Sequence, residues 1–233
     1  MSRPINFFAP GEWYHCYSRD IDKRIVFENR SDYQRFVILL YLANSSTTLH
    51  RSVLGHINHH ELFTIPRGEP LVCIGAYALM PNHFHLLLYE KGVGGISKFM
   101  QKLGTAYTMY FNIKRERSGG LFTKPFRARH VSDDLYFQYV VDYIHLNPLE
   151  LFNPGFKKAN PMSRRRLDVL SQRIIKLEAY PFSSLIDFNS NKIFRPERVL
   201  LNDEVFDMYQ LKTTKQMMEN ALAYAEIFFD QPT

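Results

Sequence analysis

Ala78-Leu79-Met80-Pro81-Asn82-His83-Phe84-His85-Leu86-Leu87-Leu88 sets two histidines on either side of one phenylalanine, directly after a Pro-Asn pair. The run from Phe84 to Tyr89 is short and apolar, which reads as a buried strand. On a strand, residues i and i+2 share a face. His83 and His85 are therefore expected side by side, with Phe84 and Leu86 turned into a core. Two imidazoles on one rigid face form half of a divalent-metal site. The same spacing also occurs in ordinary surface or core histidine pairs, so its meaning depends on the flanking chain.

Leu71 to Met80 is a continuous apolar run, read as a second strand that pairs with the histidine strand across the Pro81-Asn82 turn. Gly92-Val93-Gly94-Gly95 then breaks the chain. After it, Ile96, Phe99, Met100, Leu103, Tyr107, Tyr110 and Phe111 recur at three- and four-residue spacing, the stripe of a long amphipathic helix. Upstream, Glu12 to Arg19 is aromatic-rich and reads as a first strand. Ser31 to Leu42 reads as a helix, with Ser31 as N-cap, Gln34 at the capping-box position, and Tyr33, Phe36, Val37 and Leu40 on one face. Residues 44–70 have little periodicity. They include His50, His56, His59 and His60, with no cysteine or acidic ligand at a recognised spacing, so a loop or small hairpin is expected.

Downstream, Lys114 to Phe122 is a basic, glycine-containing loop. In Lys124-Pro125-Phe126-Arg127-Ala128-Arg129-His130-Val131 cations and apolar residues alternate. On a strand Arg127 and Arg129 share one face, a pattern suited to single-stranded nucleic acid and also to a charged sheet edge. Ser132-Asp133-Asp134 caps a helix over Leu135 to Asn147. Pro148 disfavours helical backbone before it, so that helix should end near Asn147. Tyr143 and Asn147 are i and i+4, on one face, and Tyr139 shares it.

From Phe152 the composition changes. Asn153-Pro154-Gly155, Asn160-Pro161 and Ser163-Arg164-Arg165-Arg166 read as a loop entering a basic segment, with a helix over Arg164 to Lys176. Ala179 to Leu185 is a compact turn, and two short helices are expected over Asn202–Leu211 and Thr214–Phe229. The division expected is residues 1–152 as the main domain, with 44–70 inserted, and 153–233 as a basic linker and helical extension.

The 233 residues are 45% hydrophobic and 22% charged, which suits one large domain or one domain plus an appendage. The net charge is +6 and the sequence pI about 9.2, a balance that favours a polyanionic partner, nucleic acid before membrane. Met1 to Asn6 lacks the apolar core of a signal peptide, and no apolar run reaches membrane-spanning length. The two cysteines, Cys16 and Cys73, form no C-x-x-C motif and no disulfide framework, so a reducing cytoplasm is the expected setting.

If the Tyr143 helix crosses the face that carries His83 and His85, Asn147 adds an amide oxygen to two imidazole nitrogens. Three ligands without thiolate suit Mn²⁺ or Mg²⁺, with Zn²⁺ left open. Tyr143, one turn away, then places a phenol near a bound phosphate. A phenol is a poor nucleophile at its ordinary pKa, and a metal that polarises the phosphoryl group lowers the barrier. The resulting phosphotyrosine keeps the phosphodiester energy, so a free 3′-OH can reverse the step: strand transfer rather than hydrolysis.

With those residues in view, the chain resembles the REP-associated tyrosine transposases, a branch of the single-tyrosine HUH transposases of bacterial insertion sequences. The matching elements are Trp13-Tyr14-His15, Leu79 to Leu87, the Phe99–Phe111 helix, Ser118-Gly119-Gly120-Leu121-Phe122 and Tyr143-Ile144-His145-Leu146-Asn147-Pro148. Tyr180-Pro181-Phe182-Ser183-Ser184 resembles a further family element, with Phe182 where the family has tryptophan. The resemblance covers about residues 12–152 well and the tail weakly; residues 44–70 are longer than the family's usual connection.

The resemblance implies an α+β, ferredoxin-like (RRM-like) antiparallel sheet with helices on one face and a helical C-terminal extension. It implies metal-dependent cleavage and rejoining of single-stranded or hairpin DNA through a covalent 5′-phosphotyrosine, by a monomer or homodimer in the bacterial cytoplasm, associated with the nucleoid. Position by position it makes Tyr143 the nucleophile and His83, His85 and Asn147 the ligands of Mg²⁺ or Mn²⁺. Lys124, Arg127, Arg129, Arg164, Arg165 and Arg166 are the expected phosphate contacts. His145, at i+2 from Tyr143 on a helix, is expected to face away. Two other functions stay open: a catalytically silent nucleic-acid-binding regulator on the same fold, and a metal-dependent hydrolase in which water attacks. Every catalytic position keeps a competent side chain, which favours the enzyme.

Overall fold

The computed structural model describes residues 8–19, 24–47, 61–154, 171–188 and 195–228. Four strands form one antiparallel sheet: β1 (Trp13–Arg19), β2 (Val72–Met80), β3 (His83–Glu90) and β4 (Arg127–Val131), in the order β2-β3-β1-β4. Helix α1 (Arg30–Ala43) connects β1 to β2 and helix α2 (Gly95–Lys114) connects β3 to β4. This is the ferredoxin-like arrangement expected from the sequence.

Pairing register decides which residues share a face. Tyr17 lies opposite His85 on one side and Arg127 on the other, and His15 lies opposite Leu87 and Arg129. Trp13, His15, Tyr17, His83, His85, Arg127 and Arg129 thus line one face, and Phe84, Leu86 and Leu88 the other. The second face packs on α1 and α2 through an aromatic cluster. Phe36 and Phe84 have ring centroids 4.8 Å apart, Phe84 and Phe122 5.3 Å, and Phe36 and Tyr107 5.1 Å. Phe36 is fully buried, and truncating such a ring to alanine typically costs about 3–5 kcal/mol.

Helix α3 (Asp134–Leu146) lies on the face that carries the histidines. Trp13 and Phe137 pack edge-on at 5.4 Å, and His15 meets Tyr143 at 5.7 Å. The helices expected on one face are α1 and α2; α3 adds cover to the opposite face, because alternate residues of β1 and β3 bury rings on both sides. Gly75 makes room for this layer. A Cβ there would lie 2.8 Å from the Trp13 ring, and the β2–β3 register slips between Ile74 and Ala76.

One helix start differs from the sequence expectation, and another is capped from a distance. The N-cap of α1 is Asn29, not Ser31: the Asn29 side chain accepts from Asp32 N, and the Asp32 carboxylate reaches back to the Asn29 backbone. Asp32 is buried and also bound by Lys114 and Tyr110 of α2, so tertiary contacts select the earlier cap. Helix α2 has no side-chain cap at Gly94. Instead the buried Glu90 carboxylate accepts from Gly95 N at 2.8 Å and Ile96 N at 2.7 Å, placing negative charge at the helix N-terminus.

The described C-terminal segments lie against the outer edge of β2. Leu79 N donates to Phe182 O, Ser184 N to Tyr77 O, and Asn202 N to Ile74 O, each at 2.9 Å. These bonds satisfy backbone groups of an edge strand that would otherwise pair with other chains. The expected helix over Arg164–Lys176 is described as Ser171–Glu178, and Arg164, Arg165 and Arg166 lie outside the described residues. Short helices at Glu204–Met208 and Thr214–Phe228 match the expected pair.

Of the stretch 44–70, residues 48–60, with their four histidines, lie outside the described residues. Its flanks are anchored. Asn44 exchanges two hydrogen bonds with the Val72 backbone, and Arg67 donates to Tyr41 O at 2.8 Å. Leu62 and Phe63, in a short 3₁₀ turn, are buried.

Candidate active site

The geometry starts from β3, where His83 and His85 project to the same face with ring centroids 5.0 Å apart. His85 is buried, while His83, at the strand start, is half-buried. His83 Nδ1 is 2.6 Å from Asn82 Oδ1 in the turn, and His85 Nδ1 is 2.8 Å from His15 Nε2 on β1.

Above them, α3 presents Tyr143 edge-on to His85, with centroids 5.6 Å apart and an interplanar angle of 87°. The rings of Tyr139 and Tyr143 lie 6.0 Å apart on the same helix face. Tyr139 is buried, which pushes its phenol up to about 12, and it serves the core. Tyr143 is half-buried and so reachable from solvent. Burial raises its phenol too, while a hydrogen bond from the Asn147 side chain pulls it back down.

Asn147 closes α3. Pro148 has no N–H, and the Asn147 N–H turns to Ile144 O at 3.3 Å. The side-chain Nδ2 takes over Tyr143 O at 2.7 Å. The helix ends where expected, but Asn147 itself keeps helical backbone and the chain runs on into a short turn at Leu149–Phe152. Pro148 is accommodated because the asparagine side chain satisfies the carbonyl that the backbone gives up.

The structure brings His83, His85 and Tyr143 together on one face, and ties Asn147 to Tyr143. Arg127 and Arg129, both exposed, flank the same face from β4, and Arg129 lies over the Tyr136 ring at 5.2 Å. Lys124 is exposed just before β4. His145 faces away from Tyr143, fully buried, with Nε2 2.8 Å from Ser184 Oγ. Sequence reasoning gave no role to His15 or Tyr17. His15 contacts His85 across 70 positions of chain, and Tyr17 stacks on His85 at 5.6 Å. The available signal was their i, i+2 spacing with Trp13 on an aromatic strand.

Among the described residues no three histidine, cysteine or carboxylate side chains group as a metal site. Two imidazoles and an amide are nonetheless a donor set suited to a divalent ion. With both Nδ1 atoms committed, the ligating nitrogen of each ring would be Nε2. With Nδ2 bound to Tyr143 O, the ligating atom of Asn147 would be Oδ1.

Residues 68–147 match the family model described as Transposase IS200 like. This stretch, about a third of the chain, is similar to the IS200-like transposases. The matched stretch runs from the approach to β2 through the end of α3, and so contains His83, His85, Tyr143 and Asn147. The fold is also similar to a solved REP-associated tyrosine transposase bound to a REP hairpin. The TM-score is 0.51 at 12% identity, over 84% of this chain and 90% of that one. At that identity the likeness concerns the fold. Comparison with curated proteins found no match. No helix of the described residues is long and apolar enough to cross a membrane.

Proposed function

We propose that the chain is a metal-dependent transposase that cuts and rejoins single-stranded DNA, near hairpin sequences of the REP kind, through Tyr143. The observation that carries this reading is the Tyr143 ring set edge-on against His85, 5.6 Å away, over a sheet face flanked by Arg127 and Arg129. A half-exposed phenol, paired imidazoles and exposed cations on one surface are what phosphoryl transfer to tyrosine needs. That the neighbouring fold was solved with a REP hairpin supports the choice of DNA.

In this reading His83, His85 and Asn147 hold Mg²⁺ or Mn²⁺, which when bound polarises the scissile phosphate. The Tyr143 oxygen attacks phosphorus, the Tyr143–O–P bond forms, and the bond from phosphorus to the 3′ oxygen breaks. The phenol proton is released and the departing 3′ oxygen takes one up. The 5′ end stays on Tyr143, and attack by another 3′-OH runs the sequence backwards. Burial raises the phenol above its ordinary value, so attack requires help in removing its proton. Arg127, Arg129 and Lys124 position the strand by its phosphates, joined by Arg164, Arg165 and Arg166. Residues 1–152 act as the catalytic domain and 153–233 as its extension, in a monomer or homodimer.

The test is a denaturing gel of the full chain with labelled hairpin DNA from the flank of its own gene and Mn²⁺. A metal-dependent adduct that disappears in Tyr143→Phe and His83→Ala is expected. Cleavage without adduct would shift the reading to hydrolysis. Binding without cleavage in both metals would make the chain a silent regulator.

A further inference from the structure

We propose that His15 is the positioning residue that holds His85 in the tautomer a metal requires. The inference rests on the metal reading of the site given above. His15 Nε2 and His85 Nδ1 are 2.8 Å apart, their rings inclined by 24° with centroids 5.1 Å apart, and both residues are buried. Between two neutral imidazoles at this distance lies one proton, and only two arrangements exist. If His15 Nε2 carries it, His85 Nδ1 accepts, and the proton of His85 sits on Nε2, where it blocks coordination. If His85 Nδ1 carries it, Nε2 presents a lone pair, and His15 must accept through Nε2 with its own proton on Nδ1.

The site itself distinguishes the two. His83 Nδ1 is bonded to Asn82 Oδ1, an amide oxygen that only accepts, at 2.6 Å. With Oδ1 in that position, His83 is a donor at Nδ1 and its lone pair lies on Nε2. One ion shared by His83 and His85 needs the same state in both rings. Asn82 sets it for the first, and His15 for the second. A histidine with a fixed partner on its other nitrogen is the usual device for orienting a metal ligand. It also accounts for a buried imidazole on β1 that the strand-transfer chemistry does not use. Tyr17 stacks on His85 at 5.6 Å and lies tilted against His15 at 5.2 Å, so it packs on both rings.

The test uses the full chain with ¹⁵N-labelled histidine and no added metal, read by long-range ¹⁵N–¹H correlation, together with Mn²⁺ titration followed by electron paramagnetic resonance. The variants are His15→Phe, which keeps ring shape without an acceptor, and His15→Gln, whose amide oxygen can accept from Nδ1–H. In the wild type His85 is expected as the Nδ1–H tautomer, mixed in His15→Phe and restored in His15→Gln. Mn²⁺ binding should weaken about 10–100-fold in His15→Phe, the usual loss for such partners, and recover in His15→Gln. An Nε2–H tautomer on His85 in the wild type, or unchanged Mn²⁺ affinity in His15→Phe while His83→Ala loses binding, overturns the role of His15 alone. A wild type that binds no Mn²⁺, or a His83→Ala variant that binds it normally, overturns the metal reading and this inference with it.

Discussion

Ser184 Oγ lies 2.8 Å from His145 Nε2 and accepts the Tyr77 backbone N–H at 2.9 Å, so one tail serine joins β2 to the helix that carries Tyr143. Ser184 is the last residue of Tyr180-Pro181-Phe182-Ser183-Ser184. The rest of that element is also anchored. Tyr180 donates to Leu79 O at 2.8 Å, and Phe182 stacks on Tyr33 at 4.4 Å. Ser184→Ala leaves the buried Tyr77 N–H without its acceptor. A loss of about 1–3 kcal/mol is expected, measurable by urea unfolding.

The same contact predicts a pH dependence. Burial, aided by the positive charge of Arg195, lowers the His145 imidazole to about 3. The unfolded chain takes up a proton near the ordinary value of 6.5, and the native state does so only far below it. The unfolded state therefore binds more protons in this window, and stability falls as pH drops from about 6.5 toward 3. His145→Gln, which keeps a donor for Ser184, should show a shallower decline in urea midpoints over that range than the wild type.

The ligand role proposed for Asn147 is separable from its hydrogen bond to Tyr143 O. Asn147→Asp retains an oxygen for a metal but has no Nδ2 to donate to Tyr143 O. It should keep Mn²⁺ binding while losing stability by about 1–3 kcal/mol, because a buried carbonyl goes unsatisfied next to a carboxylate. Asn147→Ala should lose both. Mn²⁺ titration beside urea unfolding separates the two; equal Mn²⁺ affinity in Asn147→Ala would remove Asn147 from the ligand set.

Arg127 and Arg129 sit on the sheet edge beside the site. The double change to alanine should weaken single-stranded DNA binding whatever its sequence. It should also flatten the slope of log K against log salt by about 0.7 for each phosphate that is no longer neutralised. Binding isotherms at several salt concentrations check this, and an unchanged slope would assign both arginines to the edge alone.

Asp142, next to Tyr143 in the chain, faces the tail. Its buried carboxylate accepts from Tyr209 and, at 3.0 Å, from Lys212. Burial raises its carboxyl, and these two partners pull it back down. Lys212→Met leaves a buried charge with one partner fewer. A loss of about 3–5 kcal/mol is expected where a buried pair is broken, again by urea unfolding.

Local pattern by itself determined the four strands, helices α1 to α3 and the pairing of His83 with His85, because strand and helix periods are written in neighbouring residues. It also placed Tyr143 and Asn147 on one helix face and turned His145 away. Tertiary structure alone decided the rest. The α1 cap moved to Asn29 because Asp32 is held by Lys114 and Tyr110 from another helix. Ser184 reaches Tyr77 across 107 positions, and His15 reaches His85 across 70. No local period records such pairings. They exist only once strand order and register have brought distant side chains to one face, where burial makes each polar group need a specific partner.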